Sequence, residues 1–334
     1  MATSVMQRTL RGTLPSFVSQ IGRRCYVKLA EVGRLDSPRE SKYETGQLFL
    51  HRVFGYRGVT LFPWTARVYD RDQSTGRDSA SEAEPQVTEA FLHPRIVNGQ
   101  TQIYYQVLID LRDCPFVRTQ TEAVTFLGNQ DNSKASLYSL PGLDYVSHED
   151  ILPYTATNEQ MIQHELFDKF LMPEPHKDPP FGPRETLRAW QDKNHPWLEL
   201  NQVHKETTED VRVTVMPFYM GSRANPGANP EATVYWWRYC IRLENLSDRA
   251  VQLRERHWRI FSQSGTLETV RGRGVVGEEP ILNKRYPAFQ YGSHVSLQAP
   301  SGHMWGNFRM EREDGYMFDC KIPPFSLESK SDPE

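Results

Sequence analysis

The run Gly272-Arg273-Gly274-Val275-Val276-Gly277 has the GxGxxG spacing of a phosphate cradle. A dinucleotide site of that kind needs a helix starting at the glycines. It also needs an acidic residue about 20 positions on to hold the ribose. Here Glu278-Glu279-Pro280 follows directly, and no further Asp or Glu occurs before Glu311. Two carboxylates beside the glycines would repel a pyrophosphate. The residues fit tight turns between antiparallel strands. A second chemistry stays open: an anion-binding nest, with Arg271 and Arg273 beside exposed amides of Gly272, Gly274 and Gly277.

Other reactive residue types are scattered. The ten histidines do not cluster at ligand spacing, and His148-Glu149-Asp150 reads as a helix cap or a salt-bridged turn, not as HExxH. His257 stands among Arg254, Glu255, Arg256, Trp258 and Arg259, with no Ser or Cys partner implied, and fits a hydrogen-bonded structural role. Cys25, Cys114, Cys240 and Cys320 are far apart and form no CxxC. That spacing disfavours a zinc site or a disulfide framework and fits a reducing compartment. No GxSxG and no P-loop occurs. The expectation is therefore no catalytic residue, no metal and no cofactor. A Tyr56-Arg57-Gly58 tip, followed by Trp64, is the other candidate contact for an anion or a partner; the alternative is a packed tyrosine beside a solvated arginine.

These residues must be positioned by strands. In Tyr235–Asn245, Tyr235, Trp237, Tyr239, Ile241 and Leu243 share one parity, the period of a half-buried strand. The next run, Val251–Ile260, switches apolar parity between Leu253 and Trp258, which predicts a bulge. Val211–Val215, Phe289–Tyr291, Val295–Gln298, Gly302–Met310 and Tyr316–Ile322 are further short strands at regular spacing, the pattern of an antiparallel sandwich. The glycine- and proline-rich Gly221–Glu231 reads as a loop between them. Towards the N-terminus, Tyr43–His51 opens the first domain, Phe54–Phe62 reads as a tight turn feeding a strand that Pro63-Trp64 interrupts, and Ile103–Ile109 and Ala123–Leu127 read as strands. Arg71–Gln102 is polar and reads as a long surface insertion. Met161–Leu171 and Arg184–Lys193 carry helical spacing, separated by a proline-rich stretch. Gln163–Phe170 also has some likeness to a sliding-clamp-binding motif, with Lys169 where an aromatic belongs; a helical apolar stripe is more often core.

The chain has 334 residues, enough for two cores, with 11% aromatics and 23 prolines, which favours strands and turns over helices. Net charge is −3, unsuited to a generic nucleic-acid binder. No apolar run is long enough to span a membrane as a helix. Residues 1–30 hold Arg8, Arg11, Arg23, Arg24 and Lys28 and no acid, the composition of a mitochondrial transit peptide, with cleavage expected after Tyr26; a plain basic tail is the alternative. Removing 1–26 takes four arginines and moves the net charge from −3 to −7.

Lys42–Phe54, Tyr56-Arg57-Gly58-Val59, Tyr105–Ile109 and Tyr145-Val146 through Pro153 resemble the YccV-like domain, which implies an SH3-like β-barrel. Val251-Gln252-Leu253, Arg256-His257-Trp258, Gly272–Gly277, Phe289-Gln290-Tyr291, Gly302–Gly306 and Ile322–Leu327 resemble the ApaG domain, which implies an Ig-like antiparallel β-sandwich. The expected organisation is a transit peptide (1–26), a linker (27–42), a YccV-like barrel (43–156) with insertion 71–102, a helical and proline-rich bridge (157–205) and an ApaG domain (206–330). This domain order is similar to a family of non-enzymatic adaptors. The resemblance implies three partners: the small subunit of DNA polymerase delta, the sliding clamp PCNA and the mitochondrial unfoldase ClpX. The expected transit peptide favours the mitochondrial matrix, with the nucleus as a second location. Two other classes stay open: a small-ligand or phosphate-binding protein or enzyme using the Gly272–Gly277 loop, and a direct DNA-binding module, disfavoured by charge.

Overall fold

The computed structural model describes residues 33–73, 97–117, 122–126, 137–156, 162–224 and 233–330. The expected transit peptide, residues 74–96 of the expected insertion and residues 225–231 of the expected Gly221–Glu231 loop lie outside the described residues.

The N-terminal half contains β1 (Gly33–Leu35), β2 (Leu48–His51), β3 (Arg57–Asp70), β4 (Gln100–Ile109), β5 (Glu122–Phe126), β6 (Leu137–Pro141), β7 (Leu143–Ser147) and β8 (Ile151–Ala156). β3 pairs with β2 on one side and β4 on the other. From there the pairing runs outward through β8 to β1, and from β4 to β7. β5 and β6 form a separate ribbon. A single 3-10 turn, His148–Asp150, carries β7 into β8. β1 lies inside the stretch expected to be linker. Pro63 does not interrupt β3, which continues through it after a register shift between Thr60 and Phe62. Tyr105, Val107 and Ile109 of β4 face one apolar cluster, and Tyr104 and Leu108 face another. Burial on both faces explains the unbroken apolar run there.

The second of those clusters is closed by the bridge. α1 (Phe167–Phe170), β9 (Leu171–Pro173), β10 (Phe181–Pro183) and α2 (Glu185–Leu198) lay Phe167, Phe170, Leu171, Leu187 and Leu198 onto the sheet. The expected first helix shrinks to four residues. Phe167 and Phe170, the aromatics of the clamp-like motif, are buried.

The C-terminal half is an Ig-type sandwich of two antiparallel sheets. One holds β11 (Gln202–Thr208), β12 (Val211–Ala224), β13 (Thr233–Asn245) and β17 (Ala288–Leu297). The other holds β14 (Val251–Ser262), β15 (Leu267–Arg273), β16 (Ile281–Leu282), β18 (Ser301–Arg312) and β19 (Met317–Glu328). Trp237, Tyr239, Ile241 and Leu243 of β13 pack against Trp258, Phe308 and Phe325, on the expected parity. The bulge expected in β14 falls between Leu253 and Glu255.

The halves are not two bodies on a bridge. β11 pairs in parallel with β3, from Gln202 opposite Arg67 to Lys205 opposite Asp70. One ten-stranded sheet therefore runs through both.

Candidate functional site

The Gly272–Gly277 run begins in the last two residues of edge strand β15 and turns at its end. Val275 and Glu278 exchange both backbone hydrogen bonds, each 2.8 Å long. Val276 (φ 44°) and Gly277 (φ 84°) form the two-residue tip between them. Two consecutive left-handed residues make a type I′ hairpin turn. No helix begins there. The amides of Gly274, Val275 and Glu278 already bond to the carbonyls of Arg254, Glu278 and Val275. Arg273 is held by Glu279, which also accepts from Arg254 Nη1 at 2.9 Å. Arg256 Nη1 donates to the carbonyls of Arg273 (3.0 Å) and Gly274 (2.6 Å). The nest geometry is thus occupied by the chain's own groups. Arg271 Nε donates to His257 Nε2 at 2.8 Å, the nitrogen that also lies 3.1 Å from Glu255 Oε2, and forms no ion pair of its own among the described residues.

The expected Tyr56-Arg57 tip and Trp64 are corrected. Tyr56 is fully buried, and its hydroxyl donates to Asp144 Oδ2 at 2.9 Å. Burial, reinforced by Asp144, raises the Tyr56 hydroxyl well above its ordinary range. Arg57 is clamped on Asp113 through Nε (2.8 Å) and Nη2 (2.6 Å). Trp64 is buried against Tyr104 and Tyr145. Tyr56 and Trp64 thus pack inside the fold, and Arg57 is engaged by Asp113.

The junction of the halves carries a buried ionic cluster that the sequence did not reveal. Asp150 accepts from Arg242 Nη1 (2.8 Å), Ser147 Oγ (2.9 Å) and Arg52 Nη2 (3.1 Å). Arg242 Nη2 lies 3.4 Å from Glu244. Burial alone would raise the Asp150 carboxyl, but Arg242 and the other partners hold it below the usual range. His51 accepts from the amides of Val53 and Phe54 through Nδ1. Burial first, then Arg242, pushes it down to about 3, so it is neutral at pH 7. Close by, Gln290 Nε2 of β17 donates to Asp144 Oδ1 of β7 at 2.9 Å. A perturbed, partly buried cluster of this kind is a site signal in general. Here every charge has an opposite one beside it, and the cavity it lines is only about 30 Å³. Its chemistry is that of a joint.

A larger concavity lies elsewhere, between β1, β8 and the β9–β10 hairpin. It measures about 990 Å³ and is lined by Leu48, Tyr154, Pro173 and Phe181, with Arg34 and Arg39 among its polar groups. Arg39 pairs with Asp178 at 3.1 Å and Arg34 with Asp36 at 3.7 Å. Among the described residues no group of three or more His, Cys, Asp or Glu could hold a metal. Burial pushes the Cys240 and Cys320 thiols up to about 12, leaving little thiolate at neutral pH.

Residues 41–173 match the family described as hemimethylated DNA-binding protein YccV like, and residues 226–312 match the ApaG domain. The polymerase delta-interacting protein 2 of Homo sapiens and that of Mus musculus are each 65% identical over 307 residues, 91% of this chain and 81% of theirs. The chain belongs to the polymerase delta-interacting protein 2 family. Protein ApaG of Paramagnetospirillum magneticum is 44% identical over 127 residues, 38% of this chain and 94% of that protein.

Within this family frame, the ionic joint has one member in each matched region: Asp150 in the YccV-like part and Arg242 in the ApaG part. Their 92-residue separation is why spacing could not pair them. The one available signal was an arginine in the middle of an aromatic-rich strand. The Gly272–Gly277 loop falls inside the ApaG match, and Tyr56, Arg57 and Trp64 fall inside the YccV-like match.

Proposed function

We propose that this chain is a non-enzymatic adaptor that binds the small subunit of DNA polymerase delta, PCNA and the unfoldase ClpX. Through them it regulates DNA synthesis and the quality control of matrix proteins. The observation that carries the reading is the 65% identity, over 91% of the chain, to proteins named for interacting with polymerase delta. The physical build supports binding over turnover. The junction charges are mutually paired, the buried thiols are held protonated, and a shared sheet makes a stiff platform for partners. PCNA and ClpX rest on the domain resemblance alone. The matrix location rests on the basic, acid-free first 30 residues.

Crosslinking mass spectrometry in intact mitochondria, paired with capture from nuclear extract, tests the reading. Recovery of ClpX in the first and of polymerase delta or PCNA in the second is expected. If neither compartment yields any of them, or if the purified chain turns over a substrate, the adaptor reading falls.

A further inference from the structure

β15 ends its sheet, with β14 on one side and no strand on the other among the described residues. Its register shows which backbone groups are free. The Ser262 amide bonds to Thr266 and the Gly274 amide to Arg254. In an antiparallel ladder the bonded pairs alternate, so residues 266, 268, 270, 272 and 274 turn their amides and carbonyls towards β14. Leu267, Thr269, Arg271 and Arg273 turn theirs away. Arg256 reaches past Gly272, which has no side chain to block it, and caps the Arg273 carbonyl at 3.0 Å. The edge left open runs from Leu267 to Arg271.

The side chains along that edge are unusual for a strand left to solvent. Leu267 is 60% exposed and sits opposite Phe261, itself 39% exposed. Val270 is 39% exposed at the rim of the sandwich, opposite buried Trp258. Arg271 bonds His257, whose Nε2 also lies 3.1 Å from Glu255, and neither Arg271 nor exposed Arg259, opposite Thr269, forms an ion pair among the described residues. Apolar groups and the guanidiniums of Arg259 and Arg271 therefore flank a row of free amides and carbonyls, while the strand's own acid, Glu268, shares the opposite face with Val270.

We propose that the β15 edge docks an extended, acidic segment of a partner protein, which adds to the sheet as a further strand. This deepens the adaptor reading, on which it rests, by naming a surface and the chemistry of its occupant. Main-chain hydrogen bonds to Leu267, Thr269 and Arg271 hold the segment. Its side chains alternate, so carboxylates on one face meet Arg271 and Arg259 while apolar residues on the other cover Val270. A second copy of the chain is a poor occupant, because it would bring the same guanidiniums to the seam. The basic, acid-free residues 1–30 are disfavoured for the same reason.

The test uses the full chain and a nine-residue peptide of alternating valine and glutamate, with a valine–lysine peptide as its counterpart. The glutamate peptide is expected to bind saturably and to slow hydrogen exchange at Leu267, Thr269 and Arg271. Thr269→Pro removes an amide that faces outward, so β14–β15 pairing survives while docking is lost. Arg271→Glu, which keeps the backbone intact, weakens the glutamate peptide about tenfold and favours the lysine peptide. If Thr269→Pro unfolds, Arg271→Glu alone decides. The proposal is overturned by absence of saturable binding, by equal binding of the two peptides, or by protection elsewhere. It is also overturned if those amides are already protected before peptide is added, since the edge would then be paired. Partners crosslinking to the Thr269→Pro chain as they do to the unaltered one would sink the edge and leave the adaptor reading standing.

Discussion

Arg242 shows how far one strand's parity can mislead about one residue. On the alternation of Tyr235–Asn245 it belongs to the polar face, which a half-buried strand turns to water. In the fold that face lies under the N-terminal half, and Arg242 is 8% exposed. Its Nη1 is paired with Asp150, and its guanidinium sits 5.1 Å above the Phe54 ring. Removing one partner of a buried pair leaves the other charge uncompensated. Asp150→Ala should therefore cost about 3–5 kcal/mol, read as a lower urea midpoint at unchanged slope; a loss within error would show that the pair is dispensable. The same region sets a pH dependence. His51 and His204 are pushed down to about 3, each chiefly by burial, assisted by Arg242 and by Arg71 respectively. The unfolded chain binds their protons near pH 6.5, so stability is complete above that pH and is lost as pH falls towards 3. Asp150 acts in the same direction at lower pH, since its folded value lies below its unfolded one. Unfolding free energies from denaturant titrations should fall between pH 7 and 4 by up to about 1.4 kcal/mol per pH unit for each histidine. His204→Phe keeps the stacking on Tyr69 and should remove its share of that slope; an unchanged slope counts against burial of a neutral imidazole.

At the scale of elements, the sequence was most readable where apolar residues alternate with polar ones along a strand, whether or not the polar face is wet. Alternation located β12, β13 and the β14 bulge because their inner residues meet a single core, the sandwich interior. It was least readable where both faces are apolar, as in β3, whose Pro63 looked like a break and is instead spanned. The GxGxxG was readable as turn chemistry from its acidic neighbours alone. Its detail adds a prediction. Val276 occupies a left-handed position (φ 44°) that a β-branched residue adopts only under strain, and its side chain is 44% exposed, so little packing depends on it. Val276→Asn creates the Asn-Gly pair favoured in a type I′ turn and should raise stability by about 1 kcal/mol. A lower melting temperature would contradict the turn assignment. Gly306 presents the opposite case. Its backbone passes so near β14 that a Cβ would lie 1.9 Å from the His257 carbonyl oxygen. Gly306→Ala must push β14 and β18 apart and should cost about 1–3 kcal/mol, with faster hydrogen exchange along that ladder as the local sign.

At the scale of the whole molecule, what no local pattern could announce is the parallel seam between β3 and β11. Each of those strands is recognisable alone, but nothing in either names the other as neighbour, and more than 130 residues separate the ladder partners. The seam is reinforced on both sides. The Thr207 amide and hydroxyl donate to Asp72, and the Leu200 amide donates to the Thr65 carbonyl. With Asp150–Arg242 and Asp144–Gln290 across the same junction, neither half can open without breaking charged or hydrogen-bonded contacts of the other. Two independent domains would melt separately; this arrangement should unfold in one step, with tryptophan fluorescence and far-ultraviolet dichroism giving coincident curves. Separate transitions would show that the seam does not couple the halves. The sharper form of the test is a fragment of residues 206–330. A bacterial ApaG protein is matched over 94% of its own length, so a sandwich of this kind does not in principle require an N-terminal half. In this chain the fragment would lose four of β11's seven residues, bare the β12 edge, and leave Arg242 without Asp150. An exposed edge invites pairing with other chains, and an unpaired buried charge costs several kcal/mol. The fragment should therefore be less stable than the intact chain and associate on concentration, as read by sedimentation and urea titration. A monomeric fragment of undiminished stability would mean that the common sheet is a contact of convenience between two self-sufficient domains.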